Sequence, residues 1–133
     1  MHHKMRTVRA RANRNLVLSF KNAFSGFYYL LRSQRNTRYH SAATIFSLYM
    51  VFWLKVPLEQ FLAILIVICL VWATEALNSA SEKMLDLVRP KYSRRAKKVK
   101  DMAAAGVLIS SITALIVGLM VLGPPLYQKV LSF

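Results

Sequence analysis

The stretch FLAILIVICLVWATEALNSASEKMLD, residues 61–86, begins as an uncharged apolar run and ends as a polar segment. It holds three of the chain's five acids, Glu75, Glu82 and Asp86. A long apolar run without charge predicts a helix that crosses a bilayer. We expect that helix to cover residues 57–88, where ~32 residues span about 48 Å against a hydrocarbon core of about 30 Å. The acids therefore lie where the helix leaves the lipid.

The composition of the whole chain agrees with a membrane protein. Its 133 residues are 56% hydrophobic, and the mean hydropathy is +0.36. A soluble domain of this length is usually less apolar. With one cysteine, Cys69, no disulfide framework is available within a chain. These features predict an all-α membrane protein.

The placement of positive charge predicts how the chain is oriented in the membrane. The net charge is +14, from 19 basic and 5 acidic residues. Apart from Lys55 and Lys129, every Lys and Arg lies before Ser41 or within 83–100. Positive charge collects in cytoplasmic segments of membrane proteins, so the N-terminus and the 89–100 loop are expected in the cytoplasm. Nucleic-acid binding is the weaker interpretation of this charge, and we expect no such partner.

The chain is expected to form one domain built from helices. Residues 15–33 place Leu16, Phe20 and Phe24 on one face and polar side chains on the other, which is typical of a helix lying in the membrane interface. Pro57 suits the start of the second span, and Gly-Pro-Pro at 123–125 is expected to end the third. The predicted segments are a basic disordered N-terminus at 1–14, the interfacial helix at 15–33, and three spans at 36–54, 57–88 and 101–122.

The three acids are predicted to form a stripe on one face of the second span. On a wheel of about 100° per residue, Glu82 lies about 20° to one side of Glu75, Asp86 about 20° to the other, and Asn78 about 60° away. A solvated helix end carrying acids is the plain alternative. Carboxylate and amide oxygens suit a hard divalent cation, and Glu75, nearest the lipid, suits a general base acting on a substrate in the bilayer. An enzyme acting on lipid head groups and a cation channel or transporter both fit this pattern.

Two motifs resemble a known family. EALNSASEKMLD, residues 75–86, and KDMAAAGVLI, residues 100–109, resemble the signature of the prokaryotic diacylglycerol kinase and undecaprenol kinase family. The resemblance implies a small integral kinase of the bacterial cell membrane, with three spans and an interfacial helix, that works as a homotrimer. It also implies that ATP, Mg²⁺ and a lipid substrate in the bilayer are its partners.

The resemblance also implies roles for individual residues. Glu75 corresponds to the general base, and Glu82 to an acid that binds the metal. The residues expected to organise the nucleotide and the active site are Asn78, Glu82, Asp86, Lys100 and Asp101. The family's second metal ligand is an acid at the position that Gln34 occupies here. Gln34 keeps an oxygen but lacks the charge, so activity is expected to be impaired.

The lipid substrate is inferred from smaller similarities. RNTRYH at 35–40, VRPKY at 88–92 and KDMAAAGVLI resemble the undecaprenol kinase branch more than the diacylglycerol branch. The expected reaction is therefore phosphorylation of undecaprenol to undecaprenyl phosphate. The alternative within the family is phosphorylation of diacylglycerol to phosphatidic acid.

Overall fold

The computed structural model describes residues 2–33, 35–88 and 93–132, and this part of the chain is helical throughout except for short connections. It contains four helices: α1 (His2–Ser33), α2 (Arg35–Trp53), α3 (Leu58–Val88) and α4 (Arg94–Leu131). The chain divides into two compact units, Met1–Gln34 and Arg35–Phe133. Gln34 and the beginning of the predicted loop, residues 89–92, lie outside the described residues.

The first unit consists of α1, which begins at His2. This differs from the disordered N-terminus predicted for 1–14. This segment contains good helix formers such as Met5, Ala10 and Ala12. The Lys and Arg residues between them also have high helix propensity, so the positive charge of the segment does not prevent a helix. Further along, Phe20 and Phe24 are exposed, as an interfacial helix requires. The position of this helix in the interface stays a prediction.

The turn between α2 and α3 follows a recognisable capping pattern. The N–H of Val56 donates to the carbonyl of Val51 at 3.1 Å, and the N–H of Lys55 donates to Phe52 at 3.3 Å. These are the two bonds of a Schellman motif, and Lys55 takes the left-handed position with φ 52°. The N–H of Phe61 then donates to the carbonyl of Pro57 at 2.9 Å and opens α3. The connection between α2 and α3, residues 54–57, is therefore short.

The second unit is held together mainly by α3 packing along α4, with α2 against both. The buried face of α3 recurs every three or four residues, as expected for one stripe of a helix. Its members are Ile64, Val67, Val71, Glu75, Asn78 and Ser79. The same periodicity that buries three aliphatic side chains thus carries Glu75 into the helix interface.

The helix α4 is longer at both ends than the predicted span at 101–122. Its first turns include the basic residues after Ser93, which were predicted to lie in a loop. Its last turns run through Pro124 and Pro125, which were predicted to end it. Proline is tolerated in membrane helices because neighbouring groups satisfy the freed carbonyls, so the Gly-Pro-Pro sequence does not act as a stop here.

The end of α4 is fastened to the end of α2. The ammonium of Lys129 donates to the backbone carbonyl of Trp53 at 3.1 Å. The same ammonium lies 4.4 Å from the centroid of the Trp53 ring, within the range of a cation–π contact. The last turns of α4, after the two prolines, are therefore in contact with the end of α2.

Within the described residues, two helices, α3 and α4, are long and apolar enough to cross a membrane. The helix α2 carries Arg35, Arg38 and His40 in its first turns and does not meet that test. Many large apolar side chains on the outside of the unit are exposed, including Ile66, Met102 and Met120. Exposed apolar surface of this extent is typical of contact with lipid or with another chain. The count of three spans stays a prediction.

Candidate active site

The centre of the candidate site is the carboxylate of Glu75, which is 1% exposed. Burial of a charged or polar group is costly unless a partner compensates it. In the described part of the chain, Oε2 of Glu75 has no hydrogen-bond partner. Nε2 of His40 on α2 lies 3.7 Å from this oxygen. The carboxylate thus lies in a dry setting, with His40 as its neighbour on α2.

Two more polar atoms, on the next turn of α3, are also buried without a hydrogen-bond partner among the described residues. Oδ1 of Asn78 and Oγ of Ser79 are buried, and no described residue forms a hydrogen bond to either atom. Native proteins leave few buried polar atoms unpaired, and those that remain often belong to functional sites. Three adjacent unsatisfied positions on one helix face therefore indicate a place prepared for a polar ligand.

Glu75 and Asn78 open into a cleft of about 320 Å³ in the second unit. From α2 the cleft is lined by Asn36, Tyr39 and His40. The residues that α4 contributes are small or apolar: Ala104, Val107, Leu108 and Ser111. The cleft therefore combines a carboxylate, an amide and an imidazole on one side with an apolar wall on the other.

A second, larger cavity adjoins this cleft. It has a volume of about 460 Å³, and its lining is almost wholly apolar. His40 and Ser111 line both cavities. On α4 its wall includes Ala114, Gly118 and Gly123, whose small size leaves space between the helices. An apolar groove thus leads to the buried carboxylate, which is the arrangement that an amphipathic substrate requires.

Two side-chain hydrogen bonds fix the helices on either side of Glu75. The hydroxyls of Thr74 on α3 and Ser110 on α4 lie 2.8 Å apart. The indole N–H of Trp72 donates to the hydroxyl of Thr44 on α2 at 3.0 Å. Hydrogen bonds between polar side chains are a common link between membrane helices. Together these two bonds place the carboxylate between three helices.

At the other end of the acid stripe, three of the predicted nucleotide residues, Asp86, Lys100 and Asp101, form ion pairs. The ammonium of Lys100 donates to Asp86 at 2.9 Å, and that of Lys97 donates to Asp101 at 2.6 Å. The hydrogen bond that Lys100 donates to Asp86 raises the pKa of Lys100, and the charges of Asp86 and Glu82 raise it further. Glu82 is therefore near Lys100, and the structure brings together Glu82, Asp86 and Lys100. Asp101 is not part of this group and forms its ion pair with Lys97.

The predicted metal site is described only in part. Gln34 lies outside the described residues, and among those described no three His, Cys, Asp or Glu side chains are grouped closely enough to hold a metal ion. The donor types still fit a hard cation, because Asn78 offers a buried oxygen without an internal partner and Glu82 follows one turn later. Pairing of residue 34 with Glu82 stays a prediction.

His40 is the last residue of the RNTRYH motif, but no role was predicted for it from the sequence. His40 is the residue that faces Glu75 from the neighbouring helix. Nothing in the spacing of the sequence reveals this pairing, since the two residues lie on different helices whose packing is set by the whole interface.

Comparisons with known proteins were consistent with one another. The profile of the family described as prokaryotic diacylglycerol kinase matches residues 21–122. A protein of Synechocystis named diacylglycerol kinase is 37% identical over 113 residues, which is 84% of this chain and 65% of that protein. A protein of Bacillus subtilis named undecaprenol kinase is 32% identical over 108 residues, 81% of this chain and 88% of that protein. The chain thus spans about two thirds of the Synechocystis relative's length and most of the Bacillus relative's.

Proposed function

The chain belongs to the prokaryotic diacylglycerol kinase family, and on that basis we propose that it transfers the γ-phosphoryl group of ATP to the hydroxyl of undecaprenol in the bacterial membrane. Lipid kinase is the enzyme class that the family and both relatives support. Use of ATP follows from that class, as does a requirement for a divalent metal, which we propose to be Mg²⁺.

The observation that carries this proposal is the buried carboxylate of Glu75 at the junction of a polar cleft and an apolar groove. A lipid alcohol has one polar hydroxyl on a long apolar chain. With its chain in the groove, the hydroxyl reaches the cleft where Glu75 lies. A soluble alcohol has no need of a groove lined by small and apolar side chains.

In the proposed reaction Glu75 is the general base. An oxygen of its carboxylate takes the proton of the lipid hydroxyl as the hydroxyl oxygen bonds to the γ-phosphorus of ATP. The bond from that phosphorus to the bridging oxygen breaks, and ADP leaves with the electron pair. The products are the lipid phosphate, ADP and a protonated Glu75, which returns its proton to water.

The residues proposed to hold the metal and the phosphates follow from the family resemblance. Glu82, Asn78 and residue 34 supply oxygens for Mg²⁺, and Lys100 supplies positive charge for the phosphates. When bound, Mg²⁺ supplies neutralisation of the charge on the β- and γ-phosphates. Since Lys100 is already paired with Asp86, it has to exchange that partner for phosphate when nucleotide binds.

The choice of lipid rests on the match of length and of motifs. The alignment covers 88% of the Bacillus undecaprenol kinase, so this chain resembles it in extent as well as in sequence. Diacylglycerol is the second candidate, because the Synechocystis relative bears that name at 37% identity. Both lipids present a hydroxyl at the membrane surface, so the same catalytic group serves either one.

The test is an assay with labelled ATP and both lipids in parallel, on the purified protein in mixed micelles. We expect labelled undecaprenyl phosphate at a rate above that of phosphatidic acid, and no label in the Glu75→Gln variant. Label found only in phosphatidic acid would show that the substrate is diacylglycerol and not undecaprenol. Cation flux through liposomes without any lipid phosphorylation would favour the rival function, a channel or transporter.

The proposed assembly is a homotrimer with its N-terminus in the cytoplasm. The distribution of basic residues supports this orientation, and the exposed apolar surface leaves room for contacts between copies. A reporter fused after Phe133 should be exported, and cross-linking in the membrane should give a species of three chains. A cytoplasmic signal from the reporter contradicts the three-span topology.

A further inference from the structure

We infer that His40 is a positioning residue that holds the carboxylate of Glu75 in the orientation required to accept the lipid's proton. The inference rests on the proposed function of Glu75 and extends it to a residue on another helix. Its basis is the 3.7 Å separation between Nε2 of His40 and Oε2 of Glu75. This distance is slightly longer than a hydrogen bond, and a small movement of either side chain forms one.

Among the described residues that line the cleft there is no lysine or arginine to compensate the carboxylate. The titratable groups that line it are Tyr39, His40 and Glu75. The wall from α4 is uncharged, and Lys97 and Lys100 pair with the acids Asp101 and Asp86. A carboxylate that is 1% exposed needs a compensating donor, and His40 is the one placed to give it.

The imidazole is itself held in place. Its side chain is 18% exposed, and its ring meets Trp72 edge to face at 6.5 Å. Trp72 donates its indole N–H to Thr44, which follows His40 by one turn of α2. Trp72 also precedes Glu75 by three residues on α3. His40 and Thr44 on α2 thus both contact Trp72 on α3. These contacts leave the ring of His40 little freedom to turn away from the carboxylate of Glu75.

His40 also lies where the two cavities meet. A lipid hydroxyl entering from the apolar groove passes this ring before it reaches Glu75. With one oxygen of Glu75 held by Nε2–H, the other oxygen is left to face the hydroxyl. This geometry gives His40 a role in orienting the base without requiring that it touch the reacting phosphorus.

The kinetic test compares two variants of similar size, His40→Gln, which keeps an N–H donor, and His40→Leu, which does not. Loss of a hydrogen bond to a charged group predicts that His40→Leu lowers kcat by about tenfold to a hundredfold. We expect an unchanged KM for ATP and recovery to within about threefold of the parent in His40→Gln. Thermal unfolding in detergent should be similar for both. Parental activity in His40→Leu, or equal losses in the two variants, would overturn the inference.

A spectroscopic test does not depend on kinase activity and therefore separates this inference from the proposed function. In protein labelled with ¹⁵N-histidine, Glu75→Gln should shift the ring signals of His40, while Glu59→Gln, on an exposed acid of the same helix, should not. Unmoved His40 signals would overturn the inference even in an active kinase. A shift in a protein that phosphorylates neither lipid would uphold the contact and overturn only the proposed reaction.

Discussion

The two ends of the acid stripe on α3 differ in what surrounds the same chemical group. At the inner end the carboxylate of Glu75 is buried beside His40 and keeps an oxygen without a hydrogen bond. At the outer end Asp86 is exposed and forms an ion pair with Lys100 at 2.9 Å. Only about three turns of helix separate the two acids. The difference lies in what α2 and α4 place opposite each turn.

This contrast indicates which acid can perform chemistry and which can be replaced. A carboxylate in a dry site has strong interactions with whatever enters, because no water screens them. An exposed ion pair is screened by solvent and contributes little. The inner end is therefore expected to govern turnover, and the outer end to influence the approach and binding of nucleotide.

The largest expected effect is the loss of the base at the inner end. Glu75→Gln should lower kcat by about a hundredfold to ten-thousandfold, because the amide cannot take the proton of the lipid hydroxyl. Binding of a fluorescent ATP analogue should be nearly unchanged. The measurement is best made in the Gln34→Glu background. The matched control is Glu59→Gln, an exposed acid at the start of α3, which should behave like the parent; near-parental activity in Glu75→Gln contradicts the assignment.

A gain of similar size is expected from restoring an acid at residue 34. Two carboxylates, at 34 and 82, would balance the charge of Mg²⁺–ATP better than one carboxylate and one amide. Gln34→Glu should raise lipid kinase activity by about a hundredfold and lower the Mg²⁺ concentration needed. Gln60→Glu, at the exposed start of α3, is the control for added charge. Equal activity of Gln34→Glu and the parent would mean that residue 34 is not a ligand.

An intermediate effect is expected at Glu82, between the two ends. Glu82→Gln removes a charged oxygen from the proposed metal site, so half-maximal activity should need about tenfold to a hundredfold more Mg²⁺. The KM for ATP should rise with it, since metal and nucleotide bind together. Titration of activity with Mg²⁺ at several ATP concentrations measures both. A lower kcat at saturating Mg²⁺ and ATP, with no change in either requirement, would move Glu82 into the chemical step.

The smallest effect is expected at the outer end. Asp86→Asn should change kcat and the KM for ATP by less than about fivefold, as expected for an exposed ion pair. The hydrogen bond that Lys100 donates to Asp86 is the main reason that the pKa of Lys100 is raised above 10.5, so the variant should lower that pKa. Titration of ¹⁵N-lysine signals measures it, with Asp101→Asn as a control that leaves Lys100 unchanged.

The sign of the related pH dependence follows from the raised pKa. A cation stabilised in the folded state adds stability below its unfolded pKa, and that contribution is lost as the pH rises through the folded pKa. On the alkaline side, the pair between Lys100 and Asp86 should therefore weaken above 10.5. Unfolding of the parent and of Asp86→Asn should converge there. A difference that persists at higher pH would show another role for Asp86.

The sequence predicted the second span and its polar end well. The predicted helix at 57–88 corresponds to Leu58–Val88, because an apolar run followed by polar residues of high helix propensity leaves little choice of structure. The resemblance to the kinase family is confirmed by the family match over 21–122. The burial of Glu75 was also expected from its place nearest the apolar run.

Other features depend on contacts between helices, and the sequence predicted them less well. The span predicted at 101–122 was shorter than α4, because the basic segment before it and the Gly-Pro-Pro sequence after it were both predicted to lie outside the helix. Charge patterns indicate which side of a membrane a segment occupies, not its conformation. The ion pair of Lys100 with Asp86 was not predicted from the sequence. The approach of His40 to Glu75 likewise results from the packing of α2 on α3.

The fastening of Lys129 to Trp53 has a consequence for the match between the protein and its membrane. Aromatic and basic side chains at helix ends fix the depth of a protein in the bilayer. On α3, about 26 Å of rigid helix separates Leu58, near that fastened end, from Glu75. In the proposed topology, the height of the carboxylate relative to the opposite lipid surface depends on bilayer thickness. A thicker membrane would draw Glu75 into hydrocarbon and a thinner one would lift it into water, so we expect lipid kinase activity to be highest in membranes of one hydrophobic thickness.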